Sequence, residues 1–175
     1  MMKKEIFTLL IFFGCLGTQA QKNDPLTFSI AIGTGIDLTT PASTPFICQT
    51  TGNYKLHPRF SLGIGTGLSF TPKMLIPVFA NLKFDLTKPA KFTPFIAWDA
   101  GYSFAPSKNT SGGLYFHPSL GLDYAIHSDH TLFMALGYEI QKLESIKTAS
   151  NSFFTTEYIE KLNHQWISLR IGFAF

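Results

Sequence analysis

The sequence predicts an all-β chain: a closed antiparallel up-and-down transmembrane β-barrel of about eight strands, preceded by a cleaved signal peptide. Three observations predict it. Hydrophobic residues alternate with small or polar ones in run after run. The runs are roughly ten residues long, the length a tilted strand needs to cross a bilayer. Of the 175 residues only 14% are charged against 45% hydrophobic, and 18 are Phe and 14 Gly, which excludes a disordered tail or a charged helical bundle. A formal net charge of +3, with no run of Lys or Arg, gives no electrostatic footprint for nucleic acid.

The chain opens with an address. Lys3 and Lys4 precede an apolar stretch from Ile6 to Gly17, and Thr18-Gln19-Ala20 offers small residues where a signal peptidase reads. The stretch is too short to span a bilayer as a helix, which needs about 20 residues. Residues 1–20 are therefore read as the signal peptide, 21–26 as a short periplasmic segment and 27–175 as the barrel. Phe12-Phe13-Gly14-Cys15 loosely resembles a lipoprotein cleavage box, but bulky residues stand before Gly14 where that box wants Leu and a small residue. Without Lys3, Lys4 and Glu5, the balance falls from 14 basic against 11 acidic residues to 12 against 10. Cys48 alone remains of the cysteines, so no internal disulfide holds the exported fold.

No later segment carries 18 consecutive apolar residues. Period two takes over instead. Phe60, Leu62, Ile64, Thr66, Leu68 and Phe70 share one face of a strand, and Ser61, Gly63, Gly65, Gly67 and Ser69 the other. Leu114, Phe116, Leu120, Leu122, Tyr124 and Ile126 oppose Tyr115, His117, Ser119, Gly121, Asp123 and Ala125. Ile167, Leu169, Ile171, Phe173 and Phe175 oppose Ser168, Arg170, Gly172 and Ala174. Similar runs start near Thr27, Pro45, Met74, Phe92 and Thr131.

The polar face decides which side is inside. On Phe60–Phe70 it is only Ser and Gly, whereas a water-facing strand would carry Lys, Glu and Thr. Small residues suit a narrow lumen, leaving room for Phe79, Phe95, Tyr115, Phe133 and Trp166 on the same face. That face also carries Asp37, Lys55, Lys83, Asp85, Asp99, Asp123, Glu139 and Arg170, both signs of an interior charge network. The apolar face is uncharged and turned to lipid. Connections near Leu56–Pro58, Thr87–Lys91 and His127–His130 are short, and Thr39–Thr44, Ala105–Gly112 and above all Leu143–Asn163 are longer. The remaining connection, Thr71–Lys73, is short and does not help, and the other lengths fit an outer-membrane barrel with both termini periplasmic. Tyr54, Phe60, Phe70, Phe92, Tyr102, Phe104, Tyr138 and Phe173 gather near strand ends, as interfacial girdles do. Pro77, Pro94 and Pro118 fall inside strands, where each removes a ladder donor; strand ends accommodate the first two and a bulge is expected at Pro118.

From Thr27 to Phe175 the chain resembles the small outer-membrane β-barrel proteins of the OmpA/OmpX-like type. The alternating ending through Phe173 to Phe175 resembles the C-terminal signal such proteins present to the barrel-assembly machinery. The resemblance implies insertion in the outer membrane of a Gram-negative cell, with outer-membrane lipids and that machinery as partners, and it identifies a class rather than an activity.

Within that class the leading expectation is a non-enzymatic barrel with a structural, envelope-integrity or surface-binding role. The runner-up is a lipid-modifying enzyme similar to the lipid A deacylases, with His117, Ser119 and Glu139 as catalytic group: a serine nucleophile needs a histidine base in reach and a carboxylate to orient it. All three face the lumen, away from a lipid substrate. An exported soluble barrel binding an apolar ligand is a third reading and requires Phe, Ile and Leu to point inward. His127, Asp129 and His130 could offer metal ligands, but three residues of one turn make a weak cage, and no metal is expected. Gly33-Thr34-Gly35 and the Gly63, Gly65, Gly67 series keep period two and open no helix, so no cofactor is expected either. An interior filled with Phe, Tyr and Trp does not conduct solutes. An extracellular ligand of unknown identity would meet Leu143–Asn163, where Phe153, Phe154 and Tyr158 are either recognition anchors or a hairpin packed on itself. N-terminal sequencing of protein from the membrane fraction should begin at Gln21; a lipid on Cys15, or recovery in the soluble periplasm, would overturn this reading.

Overall fold

A computed structural model describes residues 25–38, 44–70, 74–106, 110–127, 130–151 and 154–175, with only the backbone described at 110–111, 127, 143–151 and 154–163. The expected signal peptide lies outside the described residues. Eight long strands follow in order: β1 Leu26–Asp37, β2 Phe46–His57, β3 Phe60–Phe70, β4 Met74–Asp85, β5 Phe92–Phe104, β6 Gly113–His127, β7 His130–Asn151 and β8 Phe154–Ala174. Each pairs antiparallel with the next. The ladder closes where β1 meets β8, from Ser29↔Ala174 to Asp37↔Trp166. Phe28 and Phe175 extend that seam by exchanging backbone bonds of 2.8 and 2.9 Å. The described wall is a closed barrel.

Closure forces the alternation to sort. Ser61 and Ser69 of β3 are buried, while Leu62 and Ile64 are 44% and 77% exposed. The same inversion runs around the wall: Gln49, Ser103, Glu139, Gln141, Ser168 and Arg170 are buried, and Ile32, Ile36, Leu120, Leu136 and Ile171 are exposed. Large apolar residues outside and polar ones inside invert the soluble pattern and are what a lipid-facing barrel requires. Aromatic contacts mark both ends of the apolar band. Phe46–Phe70 and Tyr102–Phe104 stand at one end, Phe92–Tyr124 and Phe173–Phe175 at the other. Twelve residues separate Phe92 from Phe104 along β5; at about 3.3 Å per residue and a tilt of about 40°, they span roughly 30 Å of membrane normal.

Inside, aromatic rings lie over glycines of neighbouring strands. A Cβ on Gly65 would run into the Phe79 ring, one on Gly121 into Phe95, one on Gly172 into Phe133 and one on Gly35 into Trp166. These residues fill the lumen unevenly. Near the loop end Ile47, Leu75, Tyr115 and Trp166 are completely or almost completely buried and fill the bore. At the turn end, where Leu26 and Ala174 lie, the described residues line an open cavity.

Two expectations need correction. Pro118 sits in no bulge. The β6–β7 ladder runs to Phe116↔Ile140 and resumes at Ser119↔Gly137 in the same register, so two pairs are missing and no residue is inserted. Pro77 is handled alike: the β3–β4 ladder skips from Thr66↔Val78 to Ser69↔Leu75, and the Thr66 hydroxyl donates to the Pro77 carbonyl at 3.0 Å. Register shifts occur instead beside turns, at Lys55/His57 and Ala125/His127. The second correction concerns Leu143–Asn163, which is not an irregular loop. Its backbone continues β7 and β8 as a paired ribbon from Leu143↔Leu162 to Asn151↔Phe154, and the short segment Thr110–Ser111 pairs with its base at Ser145 and Glu144. Ile146, Thr148, Thr155, Thr156, Tyr158 and Ile159 explain this, since β-branched and aromatic residues favour extended pairing.

The ring-over-glycine packing makes a direct prediction. Gly121→Ala should lower stability by roughly 1–3 kcal/mol through overpacking against Phe95. Gly52→Ala, whose Cβ would meet only the Phe28 ring at 3.2 Å, should cost much less. Urea unfolding midpoints in detergent micelles check the pair.

Candidate functional site

Because inward positions recur every second residue, cross-strand register brings polar side chains from six strands to one level of the lumen. Arg170 of β8 is the centre, only 5% exposed. One guanidinium nitrogen donates to Gln49 Oε1 at 2.6 Å and to Asp99 Oδ2 at 3.2 Å. The other donates to the Tyr115 hydroxyl at 3.0 Å and, over a short contact, to Glu139 Oε2. Gln49 also donates to the Tyr115 hydroxyl at 2.9 Å, and Asn81 Nδ2 to Asp99 Oδ1 at 2.6 Å. Two carboxylates thus hold one guanidinium, the arrangement that makes a buried arginine tolerable.

His117 extends the cluster. Its Nδ1 lies 3.1 Å from Asp99 Oδ2 and its Nε2 2.9 Å from Ser168 Oγ. Gly137 makes room for it, since a Cβ there would overlap the imidazole. A second ion pair lies nearer the turn end. Lys83 Nζ is 2.6 Å from Asp123 Oδ2 and sits 4.1 Å above the centre of the Phe95 ring. The eight charged residues expected to form one network therefore fall into separate places. Asp99, Glu139 and Arg170 form the core cluster, and Lys83 and Asp123 the second pair with Asp85 beside them. Lys55 is exposed at the rim, and Asp37 is half-buried at the loop end, opposite Trp166. Gln49 and Asn81 join the cluster without having been named from sequence, and Tyr115 and Ser168, read from sequence only as inward-facing, join it as hydrogen-bond partners. Inward parity was their signal; charge was not.

The catalytic group of the runner-up reading, His117, Ser119 and Glu139, is not assembled. His117 and Ser119, two apart on β6, project side by side at a strand's long repeat, and each turns to a different neighbour. Ser119 faces the Ala97 carbonyl at 3.5 Å, Glu139 is taken by Arg170, and His117 by Asp99 and Ser168. The Asp99–His117–Ser168 array has the partner order of a nucleophilic triad. Ser168, however, is completely buried and off the lumenal cavity, so no acyl carbonyl can reach it. The array is an interior strut. Of the recognition residues, Phe153 lies outside the described residues and Phe154 and Tyr158 are described by backbone only, paired with Asn151 and Lys147 near the ribbon tip. Asp129 also lies outside, His127 is described by backbone only, and the His130 ring lies 5.4 Å from that of Phe173.

Below the core cluster the lumen widens into a cavity of about 270 Å³, open at the turn end. Its floor is Gln49, Asp99, His117 and Arg170, and its walls include Asn81, Phe95, Asp123 and Phe133.

No family model matches the chain, and no curated protein matches it. Solved structures do. The outer membrane protein OprG from Pseudomonas aeruginosa is similar at 10% identity and a TM-score of 0.63, over 86% of this chain and 95% of that one. Neisserial surface protein A is similar at 8% and 0.60, over 87% and 98%. Outer membrane protein AlkL, in lipid bilayers, is similar at 11% and 0.55, over 91% and 93%. Identities this low show the fold alone. The chain has the fold of the small outer-membrane β-barrels. Its eight-stranded architecture is of the OmpA/OmpX-like type.

Arg170→Ala should destabilise the barrel by roughly 3–5 kcal/mol, because Asp99 and Glu139 would be left as buried charges without their shared partner. Urea midpoints in liposomes measure it. An unchanged midpoint would mean that Arg170 is solvated.

Proposed function

We propose that the protein is a non-enzymatic, non-conducting barrel of a Gram-negative outer membrane, with both termini periplasmic, and that its role is structural or surface-binding, the binding carried by the β7–β8 ribbon. The observation that carries this is the contrast between a filled bore and a projecting ribbon. Trp166, Tyr115, Ile47 and Leu75 fill the loop end, which argues against a solute path. β7 and β8 have 22 and 21 residues where β3 has 11. Their surplus, at about 3.3 Å per residue, projects roughly 30 Å beyond the girdle. Strands that merely close a wall need no such length, whereas a rigid scaffold presenting a long element is a common form of recognition surface. Outer-membrane lipids surround the band, the barrel-assembly machinery inserts it, and an extracellular ligand of unknown identity meets the ribbon.

Replacing Ser145–Glu160 by a tight turn should leave folding and insertion intact, since among the described residues this segment pairs with itself and with Thr110, and should abolish surface binding. Protease added to intact cells should cut near Lys147 or Lys161; cleavage only after the outer membrane is opened would invert the topology and end this reading. In planar bilayers the protein should give no steady conductance, and sustained ion steps would refute the filled bore.

A further inference from the structure

The outer face of the wall carries a groove that the ribbon's role does not explain. We propose that it seats one acyl chain of a phosphate-bearing lipid, whose headgroup is held by Lys142 and Gln165. Three observations point to this occupant: the shape of the wall, the polar groups at one end of the groove, and their height in the membrane.

The first is shape. Where the β6–β7 ladder skips two pairs at Pro118, the lipid-facing side is indented, and Ile96, Pro118, Leu120, Leu136, Tyr138 and Ile167 line the groove. Leu120 and Leu136 are exposed along it, whereas Pro118 and Tyr138 are half-buried. Apart from the Tyr138 hydroxyl these side chains are apolar, so the groove suits hydrocarbon and not a polar solute, which would leave its own hydrogen bonds unmade there.

The second is the polar end. The Tyr138 hydroxyl donates to Gln165 Oε1 at 2.6 Å, which fixes an amide, donor as well as acceptor, at one end of the groove. Ile140 pairs with Gln165 and Lys142 with Asn163. Lys142 and Gln165 are therefore diagonal neighbours across β7 and β8, about 7–8 Å apart and within reach of long side chains. Lys142 is exposed, and among the described residues no carboxylate pairs with it. Beyond it Glu144 and Lys161 occupy opposite register positions and offset each other, so the positive excess on this face belongs to Lys142. An ammonium beside an amide at a membrane surface attracts and hydrogen-bonds a phosphate.

The third is height. Tyr102 of the loop-end girdle pairs with Leu114, and Tyr115 with Gln141, so the next rung sets Lys142 abreast of Leu114 and Tyr102. Lys142 therefore stands at the headgroup level that aromatic girdles mark. Ile96, six residues along β5 from Tyr102, lies about 15 Å deeper at about 3.3 Å per residue and a tilt of about 40°. The groove thus runs through the hydrocarbon and ends at the interface, the layout of an amphiphile. Periplasmic termini would put this site in the outer leaflet; that assignment rests on the proposed orientation, and the site itself does not.

The test uses the full mature barrel in nanodiscs of dimyristoylphosphatidylcholine, with dimyristoylphosphatidic acid as probe and glycerol phosphate as its chainless counterpart. NMR follows the Gln165 side-chain amide and the Gly137 and Tyr138 backbone amides. Rising fractions of the phosphatidic acid should give saturable shifts at all three sites, and glycerol phosphate none. Lys142→Gln should weaken binding roughly tenfold, the scale of one charge-assisted hydrogen bond. Leu136→Trp, which fills the groove, should abolish the saturable shifts. Shifts that rise without saturation would mean a wall wetted by bulk lipid. That result, an equal response to glycerol phosphate, or an unchanged affinity in Lys142→Gln would overturn the proposal. Should Leu136→Trp fail to fold, the Lys142→Gln comparison decides alone. Both leaflets of a nanodisc carry the probe, so an inverted topology, which the protease experiment detects, leaves this result unaffected.

Discussion

The wall of a β-barrel is one backbone thick, so each of its residues faces either the outside or the lumen, and the two sides ask for opposite chemistry. Outside, the band between the aromatic girdles tolerates no charge. Inside, a bore of eight strands is too narrow to stay open unless small residues alternate with large ones. This constraint places serines and glycines of β3 against Phe79, and it collects Gln49, Asn81, Asp99, Tyr115, His117, Glu139 and Arg170 at one level. The rest of the interior is arranged around that level: filled toward the loops, open toward the turns.

Arg170 carries much of that arrangement. An arginine inside a lumen is costly unless its donors are met, and here residues from β2, β5, β6 and β7 meet them. The contact to Glu139 reinforces the β7–β8 ladder, whereas those to Gln49, Tyr115 and Asp99 reach past neighbouring strands and tie together parts of the wall that the ladder does not join. The Asp99–His117–Ser168 strut joins two residues directly opposite on β5 and β6 and then passes over Gly137 of β7 to β8. A buried polar cluster of this kind also fixes register, because a one-residue slip in any participating strand would turn a charged group out into the apolar band.

What the sequence reveals is parity, and parity is a local property. Alternation along Phe60–Phe70 and Ile167–Phe175 is enough to predict the strands, their facing and the inward identity of Arg170 and Glu139. Which inward groups touch is decided by register between strands distant in sequence, and no local pattern encodes it. Hence Asp99, 71 positions from Arg170, is recognisable as inward but not as its partner. Hence also His117 is misassigned to its own strand neighbour Ser119 when its reach is over Gly137 of β7 to Ser168. Pro118 misleads for a different reason: a lost donor is visible in sequence, but a gap in the ladder and an inserted residue remove the same bond. The Leu143–Asn163 segment misleads because its length suggests a loop, although its β-branched residues already argue for strand.

The uneven filling of the lumen has an electrical consequence. Water that enters from the turn end reaches as far as the floor formed by Arg170, Asp99 and His117, and an electrolyte-filled cup supports almost no voltage gradient. A potential difference across the barrel would therefore fall mainly over the packed residues between that floor and Trp166, not over the full thickness of the membrane. The local field there is correspondingly steeper, and the charges that stand at its edge are Arg170 and its two carboxylates. The groups that tie the wall together are also those placed to feel a change in that potential most strongly.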